Sequence, residues 1–202
     1  MRKTGYILED GSQEWPNAAY KFNSTFRDWI NTVEIEKSKR KESFYKYLKE
    51  CKGYFLNFNY TETLQKLYCI QDQDVLHIHG FRGDGESSII MGHNSGEIEY
   101  ESAMLGYDDN IRSLHAALKK NLQLDTLKKF LNTCEDIINI ICIGFSFGDS
   151  DDEYIRALIN HPKTSHATWL LNEHKEDEVA EQSRKLQRFG IDPSKITSEK
   201  IL

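Results

Sequence analysis

Hydrophobic and polar positions along the chain follow two periods. From about Ala18, Phe22, Phe26, Trp29, Ile30 and Val33 recur at spacings of four, three, one and three, which sets them on one face of an amphipathic helix that needs a partner. The basic stretch Lys37 to Lys41 interrupts the pattern. A second helix, with Phe44, Tyr45, Tyr47 and Leu48 on its buried side, then runs to Cys51, with Gly53 as its stop. Tyr54 to Phe58 reads as a strand, Thr61 to Cys69 as a helix with Leu64, Leu67 and Tyr68 on its apolar face, and Val75 to Ile78 as a second strand ending at His79-Gly80. After a glycine-rich turn, Ser88 to Met91 is a third candidate strand, whereas Gly92 to Asp109 carries no clear period. Helical spacing returns over about Asp109 to Lys120 and Asp125 to Cys134. The β-branched run Ile137 to Ile143 has the character of a strand buried on both faces, as in the middle of a parallel sheet. Asp151 to Asn160 then reads as a helix, Ala167 to Leu171 as a strand, and His174 to Phe189 as a charged surface helix closed by Gly190.

Alternating strands and helices predict an α/β layer structure with a mostly parallel sheet and flanking helices. The expected organisation is an exposed lead-in over 1–17, a single domain over 18–190 with a helical insertion around 18–51, and a polar tail over 191–202. At 202 residues the chain can bury a core without disulfides or a structural metal. Its 32 acidic against 26 basic residues leave a formal charge of −6, which makes charge-driven nucleic-acid binding a poor fit. The longest apolar run, Ile137 to Phe145, is too short for a membrane span, and MRKTGYILEDG lacks a signal-peptide core, so a cytoplasmic protein without a membrane partner is expected. Cys51, Cys69, Cys134 and Cys142 form no C-x-x-C pair and read as reduced, packed thiols.

In an open parallel sheet, ligands bind at the carboxyl ends of the strands. Here the first strand ends in Asn57-Phe58-Asn59-Tyr60-Thr61, the second in His77-Ile78-His79-Gly80, and the long apolar one in Gly144-Phe145-Ser146-Phe147-Gly148-Asp149. Each also has a plain structural reading: Thr61 as the N-cap of the next helix, His79 bonded to backbone, and Gly144 to Gly148 as a tight turn with Asp149 or Ser150 as the cap. Carboxylates Asp149, Asp151 and Asp152 beside the positive end of a helix would repel a phosphate, so this turn suits ribose hydroxyls better than a pyrophosphate.

Two further motifs compete. Gly144-Phe145-Ser146-Phe147-Gly148 fits G-x-S-x-G, the nucleophile elbow of serine hydrolases, with His161, His166 and His174 downstream but none clearly placed after a strand with an acid before it. His77 and His79, spaced i, i+2, would share one face of a strand and could begin a metal site with Asp84 or His93; a packed His77 and a functional His79 explain the pair more simply, and no metal is assigned.

The runs FLNFNYTETLQKLY (55–68), VLHIHG (75–80) and IGFSFGDSDDEY (143–154), in this order and preceded by the helix around FRDWI (26–30), resemble the AbiH family of bacterial phage abortive-infection proteins. That resemblance implies a three-layer, Rossmann-like and sirtuin-like fold and a role in antiviral defence, with NAD as ligand or substrate. By the same similarity Asn59, beside the nicotinamide ribose, and His79, acting on a ribose hydroxyl, are the catalytic candidates; Gly144 and Ser146 fall on the turn that lines the adenosine-side ribose, and Asn57, Thr61, Gly80 and Asp149 complete the residues expected around the nucleotide. Cleavage of the nicotinamide–ribose bond passes through an oxocarbenium-like state, so an amide that orients water and an imidazole that exchanges a proton near neutral pH suit the reaction. Two departures stand out. Sirtuin-like enzymes usually carry an aspartate two places after the asparagine, where this chain has Thr61; and the family's opening glycine-rich turn of the type GNGFD has no counterpart before Trp15. The expectation is a chain shortened at its N-terminus, whose missing strand comes from a partner or a homo-oligomer, or a degenerate recognition domain that does not turn NAD over.

Overall fold

The computed structural model describes residues 12, 14–83, 89–94, 107–173 and 176–201. It is an α/β protein of the Rossmann-like kind, in which every strand pairing is parallel and helices flank the strands. Helix α1 spans Trp15–Asn31 and starts with Pro16 in its first turn, where a missing N–H costs nothing. A 3-10 turn at Ile35–Lys37 leads to α2, Glu42–Glu50. This helix ends in extended backbone at Cys51; Gly53 has no left-handed φ and is not its stop. Strand β1, Phe55–Asn57, is followed by α3, Thr63–Tyr68, then β2, Val75–His77. Next come α4, Tyr107–Ala117, and α5, Leu124–Thr133. Strand β3, Asn139–Cys142, a 3-10 turn at Asp149–Asp151, and α6, Asp152–Asn160, form the following unit. The chain then makes β4, Thr168–Asn172, α7, Glu176–Arg188, and β5, Ile196–Glu199.

The strands form two parallel ladders, β1-β2 and β3-β4-β5, which are not hydrogen-bonded into one sheet among the described residues. Side chains join them. Phe58, just beyond β1, meets Phe145, just beyond β3, with ring centroids 4.4 Å apart. Helix α6 spans both halves of the core: Tyr154 packs with Ile78, Leu127 and Leu131, while Ile155, one position on, packs with Trp169, Leu171 and Leu186.

Several sequence expectations change. The run 137–143 is a strand, but it lies at one end of its ladder with Asn139 exposed; β4 occupies the middle, and Trp169 and Leu171 are its buried positions. The supposed tail supplies β4 with its second neighbour, β5. Its polar side chains hid this: three of its four residues are exposed, as befits a strand on the rim. Residues 89–91 are not a strand, and Ser88 lies outside the described residues. Trp15 to Asn17, read as lead-in, belong to α1. On that helix Ile30 is buried and Phe26 packs edge-on against Tyr60, but Phe22 and Trp29 remain 58% exposed. Gly190 closes α7 as its sequence position suggested, with φ +97° and the Ile191 N–H returning to Leu186 O. No helix among the described residues is long and apolar enough to cross a membrane.

Candidate functional site

Strand β1 ends on Asn57, which is 7% exposed and whose Oδ1 accepts from the Asn59 N–H at 3.0 Å and from Asn59 Nδ2 at 3.3 Å. This local turn lets the chain leave the strand sharply while Phe58 and Tyr60 line a cavity. Strand β2 stops at His77, and residues 78–79 form a turn closed by the Gly80 N–H on His77 O, with Gly80 at φ +72°. Ending the strand one residue early separates the two histidines. The His77 Nδ1 lies 3.1 Å from Asn59 O and its Nε2 lies 3.0 Å from Gln65 Nε2. Asn57 Nδ2 also lies 3.4 Å from that Nδ1, so both ring nitrogens are engaged by nearby polar groups. His79 instead enters the cavity. The two therefore do not begin a shared metal site; no cluster of three or more His, Cys, Asp or Glu residues capable of holding a metal occurs among the described residues, and Asp84 lies outside them.

The cavity holds about 280 Å³ and is lined from five parts of the chain: Phe58 and Tyr60, His79, residues 90–92, Lys120, and the turn after β3 with Ser150 and Asp151. His79 is 6% exposed and ringed by Phe58, Tyr60 and Tyr154 at centroid distances of 5.3, 6.1 and 5.9 Å. Its Nε2 stands 3.3 Å from Asp151 Oδ1, a charge contact short of a hydrogen bond, and this buried atom has no hydrogen-bond partner. The same Asp151 oxygen receives the ammonium of Lys120, a residue only 5% exposed. Burial pushes the Asp151 carboxyl up, but the His79 and Lys120 side chains outweigh it and hold it below the usual carboxylate range. Tyr60, desolvated and facing the Asp151 charge, is pushed up to about 12 and stays a phenol; its OH donates to Ile90 O at 3.0 Å.

That bond fastens residues 89–94 over the cavity from one side. From the other, His93 N donates to Leu118 O and Lys120 N donates to His93 O, beyond the end of α4. Gly92, at φ +128°, makes the approach possible: a Cβ there would lie 2.0 Å from Leu118 O.

The turn after β3 is built on two left-handed residues, Gly144 at φ +63° and Phe147 at φ +55°. Phe147 is 5% exposed and anchored in the core, which offsets the strain a non-glycine residue meets there. Lys185 of α7 secures the turn by donating to Phe147 O and Asp149 Oδ1, each at 2.7 Å, and pairing with Asp152 Oδ1 at 2.6 Å. Two buried lysines distant in sequence, Lys120 and Lys185, thus pair with the three carboxylates of the acidic run. No side chain caps α6 or the 3-10 turn before it, so neither Asp149 nor Ser150 has the capping role. Thr61 is not a helix cap either: Glu62 holds that position, and Thr61 Oγ1 meets Thr63 Oγ1 at 2.9 Å.

Of the residues singled out in the sequence, His79, Gly144 and Ser146 share the cavity. Asn57, Asn59, Thr61, Gly80 and Asp149 are not among its lining; Asn59 is exposed and tied to Asn57. The left-handed φ angles flank Ser146 rather than falling on it. His161 lies elsewhere, accepting from the Lys163 N–H and bonded to Asn132, and His174 is outside the described residues. Tyr60, Lys120 and Asp151 were missed as site residues. Tyr60 and Asp151 lie within the runs quoted above, but Lys120 carries no sequence signal, because only the fold brings the end of α4 to the turn after β3.

The family described as Bacteriophage abortive infection AbiH matches residues 4–173, a span containing all three strand-end runs and every cavity-lining residue. The chain belongs to the AbiH family. AbiH membership places it in phage abortive-infection defence. No curated protein and no solved structure matches it.

Proposed function

We propose that this AbiH protein acts in phage defence through the His79 cavity, which takes the nicotinamide-ribose end of NAD and supports its hydrolysis to nicotinamide and ADP-ribose. The observation that carries this reading is the buried, unpartnered His79 Nε2 facing a cavity bordered by Gly144 and Ser146. A built Cβ at Gly144 meets nothing within 4 Å, so the backbone there is open to close approach by a ligand. At about 280 Å³ the space lies near the lower end of small-molecule sites and suits one nucleoside unit, with the rest of a dinucleotide outside. In this reading His79 exchanges a proton with a ribose hydroxyl or water, the Ser146 hydroxyl and Gly144 backbone meet the sugar, and Phe58, Tyr60 and Phe145 exclude solvent.

Calorimetric titration of NAD, with nicotinamide release followed in the same sample, tests it. Binding with release abolished by His79→Ala is expected; absence of binding at millimolar NAD by folded protein refutes it. The position of Asn59 outside the cavity favours a second reading, recognition of the nucleotide without turnover, and binding with no release would select that reading.

A further inference from the structure

We infer that Asp151 and His79 form a receptor for a vicinal diol, so that the cavity selects ribonucleosides over their deoxy forms. The inference rests on the nucleotide reading above and names the part of the ligand that is recognised.

The two oxygens of Asp151 are in unequal situations. Oδ1 is committed to Lys120 and faces His79, while Oδ2 has no hydrogen bond among the described residues, although Asp151 lines the cavity. Lys120 keeps this carboxylate ionised, and an ionised carboxylate only accepts. Beside it, the His79 Nε2 is buried and unpartnered. Leaving the buried imidazole nitrogen bare is costly, and the neighbouring carboxylate oxygen is a charged acceptor free of partners among the described residues, so a ligand that engages both at once is favoured. Neighbouring hydroxyls meet the requirement: one donates to the carboxylate, and the next exchanges a hydrogen bond with the imidazole. A phosphate does not, because its oxygens bring only acceptors to a carboxylate that only accepts; an ammonium group does not, because Lys120, already on the other oxygen of the same carboxylate, repels it. The remaining walls suit the other half of a nucleoside. Phe58, Tyr60 and Phe145 offer aromatic surface to a flat heterocycle, and the volume fits one sugar-and-ring unit.

The test compares NAD with two analogues that lack either the 2′- or the 3′-hydroxyl of the nicotinamide ribose, titrated into wild type and Asp151→Asn. Each analogue is expected to bind wild type about tenfold or more weakly than NAD, the loss typical of a hydrogen bond to a charged group. Asp151→Asn should weaken NAD by a similar factor and leave the affinity of one analogue unchanged, since the lost hydroxyl and the lost carboxylate are the same contact. Equal affinity of wild type for all three compounds would overturn the diol receptor, and so would undiminished discrimination in a folded Asp151→Asn. In either case nicotinamide release from NAD that depends on His79 would leave the proposed function standing, whereas absence of NAD binding removes both. The wild-type comparison needs no variant, so it decides the matter even if Asp151→Asn fails to fold.

Discussion

Lys185→Met removes the charge that holds the turn after β3 while keeping most of the aliphatic stem. The Lys185 side chain is 6% exposed and its ammonium has three partners. They are not equivalent. The Asp149 side chain is fully exposed, so water replaces the ammonium there and that pair adds little. Phe147 O is a backbone acceptor on a buried residue, and losing a charged donor to it costs about 1.5–3 kcal/mol. Asp152, with its side chain 24% exposed, is partly rehydrated, so its loss falls below the roughly 3–5 kcal/mol of a fully buried pair broken on one side. Together these place the destabilisation at about 2–4 kcal/mol. For a chain of this length that is a fall in Tm of roughly 5–15 °C. Urea unfolding followed by circular dichroism, with wild type and Lys185→Met side by side, measures it. A change below about 0.5 kcal/mol would refute the view that this lysine, rather than the packing of Phe147 alone, holds the turn.

Gly92→Ala should disrupt the cavity rather than merely strain it, because the added Cβ would collide with Leu118 O; loss of NAD binding with little change in helix content by circular dichroism is expected. Gly144→Ala meets no neighbour and should cost only about 1 kcal/mol for its left-handed φ, so a much larger loss of ligand affinity than of stability in parallel titration and melting would show that a ligand approaches this backbone. Asp151 has a folded pKa below its unfolded one, so its stabilisation is present above about pH 4 and lost as pH falls through the folded value; Asp151→Asn should be less stable than wild type at pH 7, with the gap closing towards pH 3 in acid-unfolding curves. Leu171→Ala, at a fully buried position of the central strand, should cost about 2–5 kcal/mol in denaturant unfolding, and a smaller loss would mean that the site collapses around the cavity.

The α/β class, most elements and three of the cavity residues were legible in the sequence, because helix and strand periods and strand-end glycines are local properties. Apolar spacing locates α1 through α7 and β1 through β4, and the turns that end β2 and β3 carry His79, Gly144 and Ser146. What failed locally failed for a local reason. Strand β5 was invisible because its exposed side chains are polar, and without it β3 looked like the centre of the sheet in place of β4. Asn59 faces its neighbour Asn57 rather than the cavity because the turn after β1 redirects it, a one-residue difference that periodicity does not resolve, while His77 is packed against Asn59 O and Gln65, the simpler of its two readings. Only tertiary structure could supply the counter-charges. Sequence order presents Asp149, Asp151 and Asp152 as an unrelieved acidic run; the fold brings Lys120 and Lys185 to it across 31 and 36 residues of chain and makes a charge-paired, partly desolvated cluster. Secondary structure depends on neighbours in the chain, whereas the charge state of a buried site depends on neighbours in space, and for the His79 cavity those are almost entirely different residues.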